Sequence, residues 1–184
     1  HAPQCDRSSA EALARDLFGV LGTAEPLASE RDQNFRVAAD DGQVVVLKIA
    51  NATERRDILD FQNAALEHLA RRDETLALPR LRRTLSGDAI ARAASPDGTD
   101  HFVRMLTWVP GTVLAAVKPH SEALLRSLGR RVAETNRAFA GFSHPAMDRE
   151  LPWDLGRTPW IAAELDRFDD QHQRRLIEHT LARF

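Results

Sequence analysis

The chain of 184 residues has one cysteine, Cys5, so an intramolecular disulfide is out of reach. That suits a reducing compartment, and the polar residues around Cys5 read as a loose terminus carrying a spectator thiol. No apolar run approaches the ~20 residues needed to cross a bilayer. The start, His1, Ala2 and Pro3, has neither an initiator Met nor the apolar stretch of a signal peptide, as expected for a trimmed, cytoplasmic chain. A basic surplus is also absent: 25 Lys and Arg stand against 27 Asp and Glu, for a formal charge of -2. That balance argues against holding a nucleic-acid backbone. Lysine is scarcest of all, because only Lys48 and Lys118 interrupt a basic set that is otherwise Arg. Repeats and low-complexity segments are missing. What remains, 43% hydrophobic and 28% charged residues, suffices for the core of one ordinary domain and excludes a disordered tail or a disulfide mini-protein.

Local signals set out the order of elements. Ser8 and Glu11 have capping-box spacing ahead of an apolar stripe through Ala10, Leu13, Ala14, Leu17 and Phe18, and Gly19 offers a stop. Short strand-like runs from Leu21 to Ile49 predict a three-stranded antiparallel meander, with the polar stretch Ser29 to Asn34 as its first loop and Asp40, Asp41, Gly42 as its second turn. Asn51 and Glu54 cap a second helix whose inward stripe is Ile58, Gln62, Ala65, Leu66 and Leu69. Leu81 to Leu85, Ala89 to Ala93 and Phe102 to Val109 return to strand character, separated by turns at Ser86 to Asp88 and Pro96 to Gly98. After Pro110 and Gly111 everything reads as helical. One helix starts at Ser121 with Leu125, Leu128, Val132, Thr135 and Phe139 on one side, and a last one runs from Thr158 and Pro159 to Phe184. The prediction is an α+β fold: a five-stranded antiparallel sheet with one inserted helix over residues 1–108, then helices over 109–184.

Lys48 is the residue with the most chemical content. Strand alternation puts Val44, Val46 and Lys48 on one face and Val45, Leu47 and Ile49 on the other. If the second helix covers one face, the other borders a cleft, because an ammonium buried without a counter-charge is costly. A compact point charge there suits nucleotide phosphates. The alternatives are a strand-end Lys reaching solvent or pairing with a helix carboxylate. The loop from Ser29 to Asn34 contains no glycine, so any phosphate contact from it would use backbone N–H groups and the Ser29 and Asn34 side chains.

Taken together, the order of Ser29 to Val37, the strand ending Val46-Leu47-Lys48-Ile49, the helix with Phe61 to Leu66, and the segment Val103 to Gly111 resembles the N-terminal part of aminoglycoside phosphotransferase and choline-kinase-like enzymes. The resemblance is to their hydroxylysine-kinase-like branch in particular. It implies a protein-kinase-like N-lobe, then the first helices of an incomplete helical C-lobe. It implies ATP and Mg²⁺ as cofactors and a small-molecule hydroxyl acceptor as partner, an amino-alcohol or aminoglycoside-like metabolite. By the same resemblance Lys48 grips phosphate, Val46 lies against the adenine, and Met105, Leu106, Thr107 and Trp108 form a hinge along the adenine edge. Gln62 stands where most of the superfamily has the helix Glu that pairs with this Lys, so Lys48 would be oriented by a neutral hydrogen bond or another carboxylate. Domains of this branch also occur ahead of a class III aminotransferase module, and a non-catalytic module is the alternative reading.

The resemblance also implies catalytic-loop carboxylates that this sequence does not supply. None of the seven His is followed two residues later by Asp, so the His-x-Asp loop is missing and no catalytic or metal-holding residue is assigned. The chain ends at Phe184 in the helix expected to lead towards that loop. The stripes Leu125, Leu128, Val132, Phe139 and Ile161, Leu165, Phe168 are then expected to be hidden by self-association or helix rearrangement. His172 and His179 share a helix face but lack a third metal ligand. Trp153 and Trp160 read as core anchors beside a turn.

Overall fold

In the computed structural model, which describes residues 3–95, 98–149 and 154–183, the first helix is capped by Asp6 rather than Ser8. Helix α1 (Arg7–Phe18) begins where the Asp6 carboxylate accepts the Ser9 N–H at 2.7 Å. A charged acceptor also complements the positive end of the helix dipole. Glu11, the expected partner of a Ser8 cap, instead accepts the Ala24 N–H at 2.9 Å and ties the helix to the first strand. Gly19 ends α1 in the left-handed region at φ 66°, as its position foretold.

Strands β1 (Gly22–Leu27), β2 (Gln33–Ala39) and β3 (Val44–Ile49) form the expected meander, although Gln33 and Asn34 belong to β2 and not to its loop. Burial along β3 alternates as anticipated: Val45, Leu47 and Ile49 are buried and Val44, Val46 and Lys48 half-buried. The buried face, with Phe35, Val37, Val103 and Met105, packs on Ala10, Ala14 and Phe18 of α1. Each large side chain fully buried there contributes about 1.5–3 kcal/mol. The helix covering this face is therefore α1 and not the second helix. Cys5 is no loose-terminus thiol either. It is 8% exposed, joins this core, and its backbone N–H and C=O pair with the Gln33 side-chain amide at 2.8 and 2.7 Å.

Helix α2 (Arg56–Arg72) starts later than Asn51. The Asn51 side chain accepts the Thr53 N–H and hydroxyl at 3.0 and 2.9 Å, which makes a turn instead of a helix cap. Its buried positions are Ile58, Leu59, Asn63 and Leu69, while Gln62, Ala65 and Leu66 of the expected stripe are half-buried. Beyond α2 come β4 (Leu81–Arg82), β5 (Ala91–Ala94) and β6 (Asp100–Thr107). The sheet order is β1-β2-β3-β6-β4, with β5 also paired to β6 and every pairing antiparallel. Among the described residues five strands have four residues or more. The two-residue β4 is a sixth, cut short because Thr84 to Asp88 close a turn in which the Thr84 N–H meets the Asp88 carbonyl at 2.9 Å. Of the turn expected from Pro96 to Gly98, Pro96 and Asp97 lie outside the described residues.

The chain divides into two compact units, His1–Ala146 and Met147–Phe184. The first includes helix α3 (Glu122–Ala138), capped by Ser121 as expected, with the Leu124 N–H donating to its hydroxyl at 3.2 Å. Leu125, Leu128 and Val132 on α3 are exposed, whereas Ala138 and Phe139 at its end pack with Leu69 and Leu76. The second unit holds a 3₁₀ segment, Leu155–Arg167, and helix α4 (Gln171–Leu181), not one continuous helix. The break follows from Asp170, whose carboxylate accepts the His172 and Gln173 N–H groups and starts a new helix. Trp160 is 55% exposed and so is no core anchor; Trp153 and Phe184 lie outside the described residues.

Candidate functional site

The antiparallel register places Asn34, Lys48 and Arg104 in one row across β2, β3 and β6. Directly opposite residues share a face of the sheet, so all three project to the side away from α1. The Lys48 ammonium donates to the Asn34 side-chain oxygen at 2.9 Å, and the Asn34 amide donates to the Ser29 hydroxyl at 3.0 Å. Ser29, Asn34 and Lys48 are thus brought together as one hydrogen-bonded chain from the β1–β2 loop into the sheet. Burial holds Lys48 below its ordinary value, the neighbouring Arg104 charge lowers it further, and Asp32 acts in the opposite direction. Asp32 itself is tethered, accepting the Asn51 N–H at 3.0 Å. Among the described residues no carboxylate lies within ion-pair distance of Lys48.

Arg104 is the residue that the sequence reading missed. It is 3% exposed, and its guanidinium donates to Asn63 Oδ1 at 2.8 Å and to Gln62 Oε1 at 2.6 Å. Gln62 therefore serves Arg104 and is not the hydrogen-bond partner of Lys48; that role falls to Asn34. The only hint in the sequence was an Arg in the middle of the apolar run from Phe102 to Val109. Burial lowers Arg104, with Asp32, Glu54 and Asp60 opposing, and a guanidinium stays charged throughout. The Asn63 Nδ2 group is buried without a hydrogen-bond partner. Flipping the amide would not help, because it would turn the NH₂ towards the guanidinium.

Val46 lies one row away on the same face, between Arg36 of β2 and Leu106 of β6. Val46 and Leu106 form a half-buried apolar floor, and Arg36 stacks 5.6 Å from the centre of the Trp108 ring at its rim. Met105 points the other way, fully buried against α1. The Thr107 N–H is taken by the Arg80 carbonyl at 2.9 Å and the Trp108 N–H by the Val44 carbonyl at 3.0 Å. The expected hinge is thus anchored to β3 and to Arg80, just before β4, through these donors. Among the described residues no group of three or more His, Cys, Asp or Glu side chains is arranged to hold a metal, and no helix is long and apolar enough to cross a membrane.

Comparison with known proteins bears on the fold and the family. The phosphotransferase enzyme family, APH, matches residues 23–183. Hydroxylysine kinase of Mus musculus is 27% identical over 199 residues, covering 99% of this chain and 52% of its own length. The hydroxylysine kinase of Danio rerio is 25% identical over 194 residues, covering 99% and 53%. The chain spans about half the length of the curated relatives it matches. Among solved structures, amicoumacin kinase in complex with AMP-PNP, Ca²⁺ and Ami gives a TM-score of 0.68 at 12% identity, over 96% of this chain and 52% of that one. A microcompartment-associated aminopropanol kinase gives 0.62 at 18%, over 94% and 57%. These likenesses show the fold, an α+β arrangement of the protein-kinase-like kind. With a match running from residue 23 to residue 183, the chain belongs to the phosphotransferase enzyme family.

Proposed function

We propose that this chain supplies the nucleotide-binding sheet of an ATP-dependent kinase that phosphorylates a hydroxyl of a small amino-alcohol or aminoglycoside-like metabolite. The observation that carries the reading is the half-buried Lys48 ammonium, bonded among the described residues only to a neutral amide beside the Ser29 loop. A cation so placed gains most from an anion that enters with its own charge, as nucleotide phosphates do. In this reading Lys48 bonds phosphate oxygens with Ser29 and Asn34 beside it, and Val46 and Leu106 take the adenine face. Met105, Leu106, Thr107 and Trp108 form the hinge along the adenine edge. Residues 1–108 hold the nucleotide and residues 109–184 begin the lobe that presents the acceptor. The acceptor hydroxyl attacks the γ-phosphorus as the bond to ADP breaks, and positioning with electrostatic stabilisation supplies the rate.

The relatives named for hydroxylysine and aminopropanol support an acceptor that carries both an amine and a hydroxyl. In this reading the proton acceptor and the ligands of Mg²⁺ belong to the part of the family that this chain does not span, since it covers about half the length of the hydroxylysine kinases it matches. Calorimetric titration with ATP tests the reading. Lys48→Met should weaken binding about tenfold or more, the worth of one charge-assisted bond. Equal affinity in the two proteins would refute the phosphate role of Lys48. Tight, Lys48-dependent binding without phosphoryl transfer in a longer protein carrying this chain would favour a non-catalytic module.

A further inference from the structure

Lys48 and Arg104 face each other across β3 and β6, and among the described residues both are bonded to neutral amides only. Like charges directly opposite on a sheet destabilise it, and buried cations are ordinarily matched by carboxylates. Here the partners are Asn34 on one side and Gln62 with Asn63 on the other. Arg104 also differs from Lys48 in access: it is 3% exposed with both terminal nitrogens engaged, so a ligand entering beside Lys48 meets the Lys48 head and only the field of Arg104.

We propose that Arg104 is a positioning residue for Lys48. Its fork ties α2 to β6 through Gln62 and Asn63, and its charge beside Lys48 leaves an incoming polyanion as the counter-ion of the ammonium. The inference deepens the nucleotide reading and rests on it for the identity of that anion. The fork gives Gln62 a role: its amide oxygen accepts from the Arg104 guanidinium. The charged groups around the pair are Arg104 on β6, Asp32 in the β1–β2 loop, Glu54 before α2 and Asp60 on it. Asp32 faces both cations, but its Oδ1 is engaged by the Asn51 N–H.

The scarcity of lysine makes the test direct. In protein labelled with ¹³C-lysine only Lys48 and Lys118 give side-chain signals, and Lys118→Arg assigns the remaining one. The Lys48 titration midpoint is then followed in the whole 184-residue chain, with and without inorganic tripolyphosphate. Arg104→Met should move the midpoint up, because a neighbouring cation is gone. Arg104→Gln, which replaces the guanidinium by a neutral polar group, should do the same and decides the matter if the Met variant does not fold. Arg104→Lys should leave the midpoint in place yet speed hydrogen exchange of the α2 amides, since it keeps the charge and loses the fork. Tripolyphosphate should raise the midpoint in the unmutated chain. An unmoved midpoint in the folded neutral variants overturns the electrostatic role, and unchanged exchange in Arg104→Lys overturns the tie. If the variants shift Lys48 but neither tripolyphosphate nor ATP does, the nucleotide reading falls while the role of Arg104 stands. If only the anions shift it, the nucleotide reading survives and the inference about Arg104 fails.

Discussion

Removing Arg104 should cost less stability than removing the amides that hold it, and the difference follows from where the charge is left. Arg104→Met abolishes two charge-assisted bonds of 2.8 and 2.6 Å, worth about 1.5–3 kcal/mol each. It also abolishes the cost of burying a guanidinium, several kcal/mol per ion, and separates Lys48 from a like charge. The net loss should be about 1–2 kcal/mol. In the double variant Gln62→Leu with Asn63→Leu, the same guanidinium remains 97% out of reach of water with neither acceptor, the situation in which a stranded charge costs about 3–5 kcal/mol. Urea unfolding at 25 °C, followed by helical circular dichroism and extrapolated linearly, measures both against the unmutated chain. Equal losses, or a greater loss for Arg104→Met, would refute the view that a buried, partnered cation organises this face of the sheet.

Two glycines should differ sharply under substitution. A Cβ at Gly19 meets the mobile end of Leu85 at 3.0 Å and adds the strain of φ 66°, about 1–2 kcal/mol, whereas a Cβ at Gly22 meets the Ala38 carbonyl oxygen at 2.1 Å, which only backbone movement relieves, at about 3 kcal/mol or more. Thermal melts of Gly19→Ala and Gly22→Ala check this, and a wild-type melting temperature for Gly22→Ala would contradict the β1–β2 register. The Asp6 cap should make stability pH-dependent: the Ser9 N–H, with the Ser9 and Ser8 side chains, holds its carboxyl below the ordinary 3.8. Its contribution is therefore complete above that value and lost as pH falls through the depressed folded pKa. Asp6→Ala should melt earlier than the unmutated chain at neutral pH and converge with it in strong acid; a constant difference across the range would discount the cap.

Much of the fold was readable because its signals are local. The alternation of Val44 to Ile49, the left-handed Gly19, the turn at Asp40 to Gly42 and the Ser121 cap each depend on a few neighbouring residues, and all four appear where the pattern placed them. Misreadings arose where two local signals competed. Asp6 outdid Ser8 as a cap because its carboxylate reaches the Ser9 N–H, and Asn51 closed a turn with Thr53 before α2 could start. Asp170 restarted the last helix for the same kind of reason.

The site divides along a similar line. That a lysine in a chain almost devoid of lysine stands on the less buried face of its strand was a property of composition and period, both visible in one dimension. Which side chains answer it was not. Asn34 is 14 residues from Lys48, and Gln62 and Asn63 are 42 and 41 residues from Arg104. Their meeting depends on strand register and on α1, rather than α2, covering the Val45 face. Burial, acting over the whole sheet, made Arg104 the partner of Gln62 and left Lys48 with a neutral one: hydrogen-bond reach is about 3 Å, and only tertiary packing brings residues so distant in sequence within it.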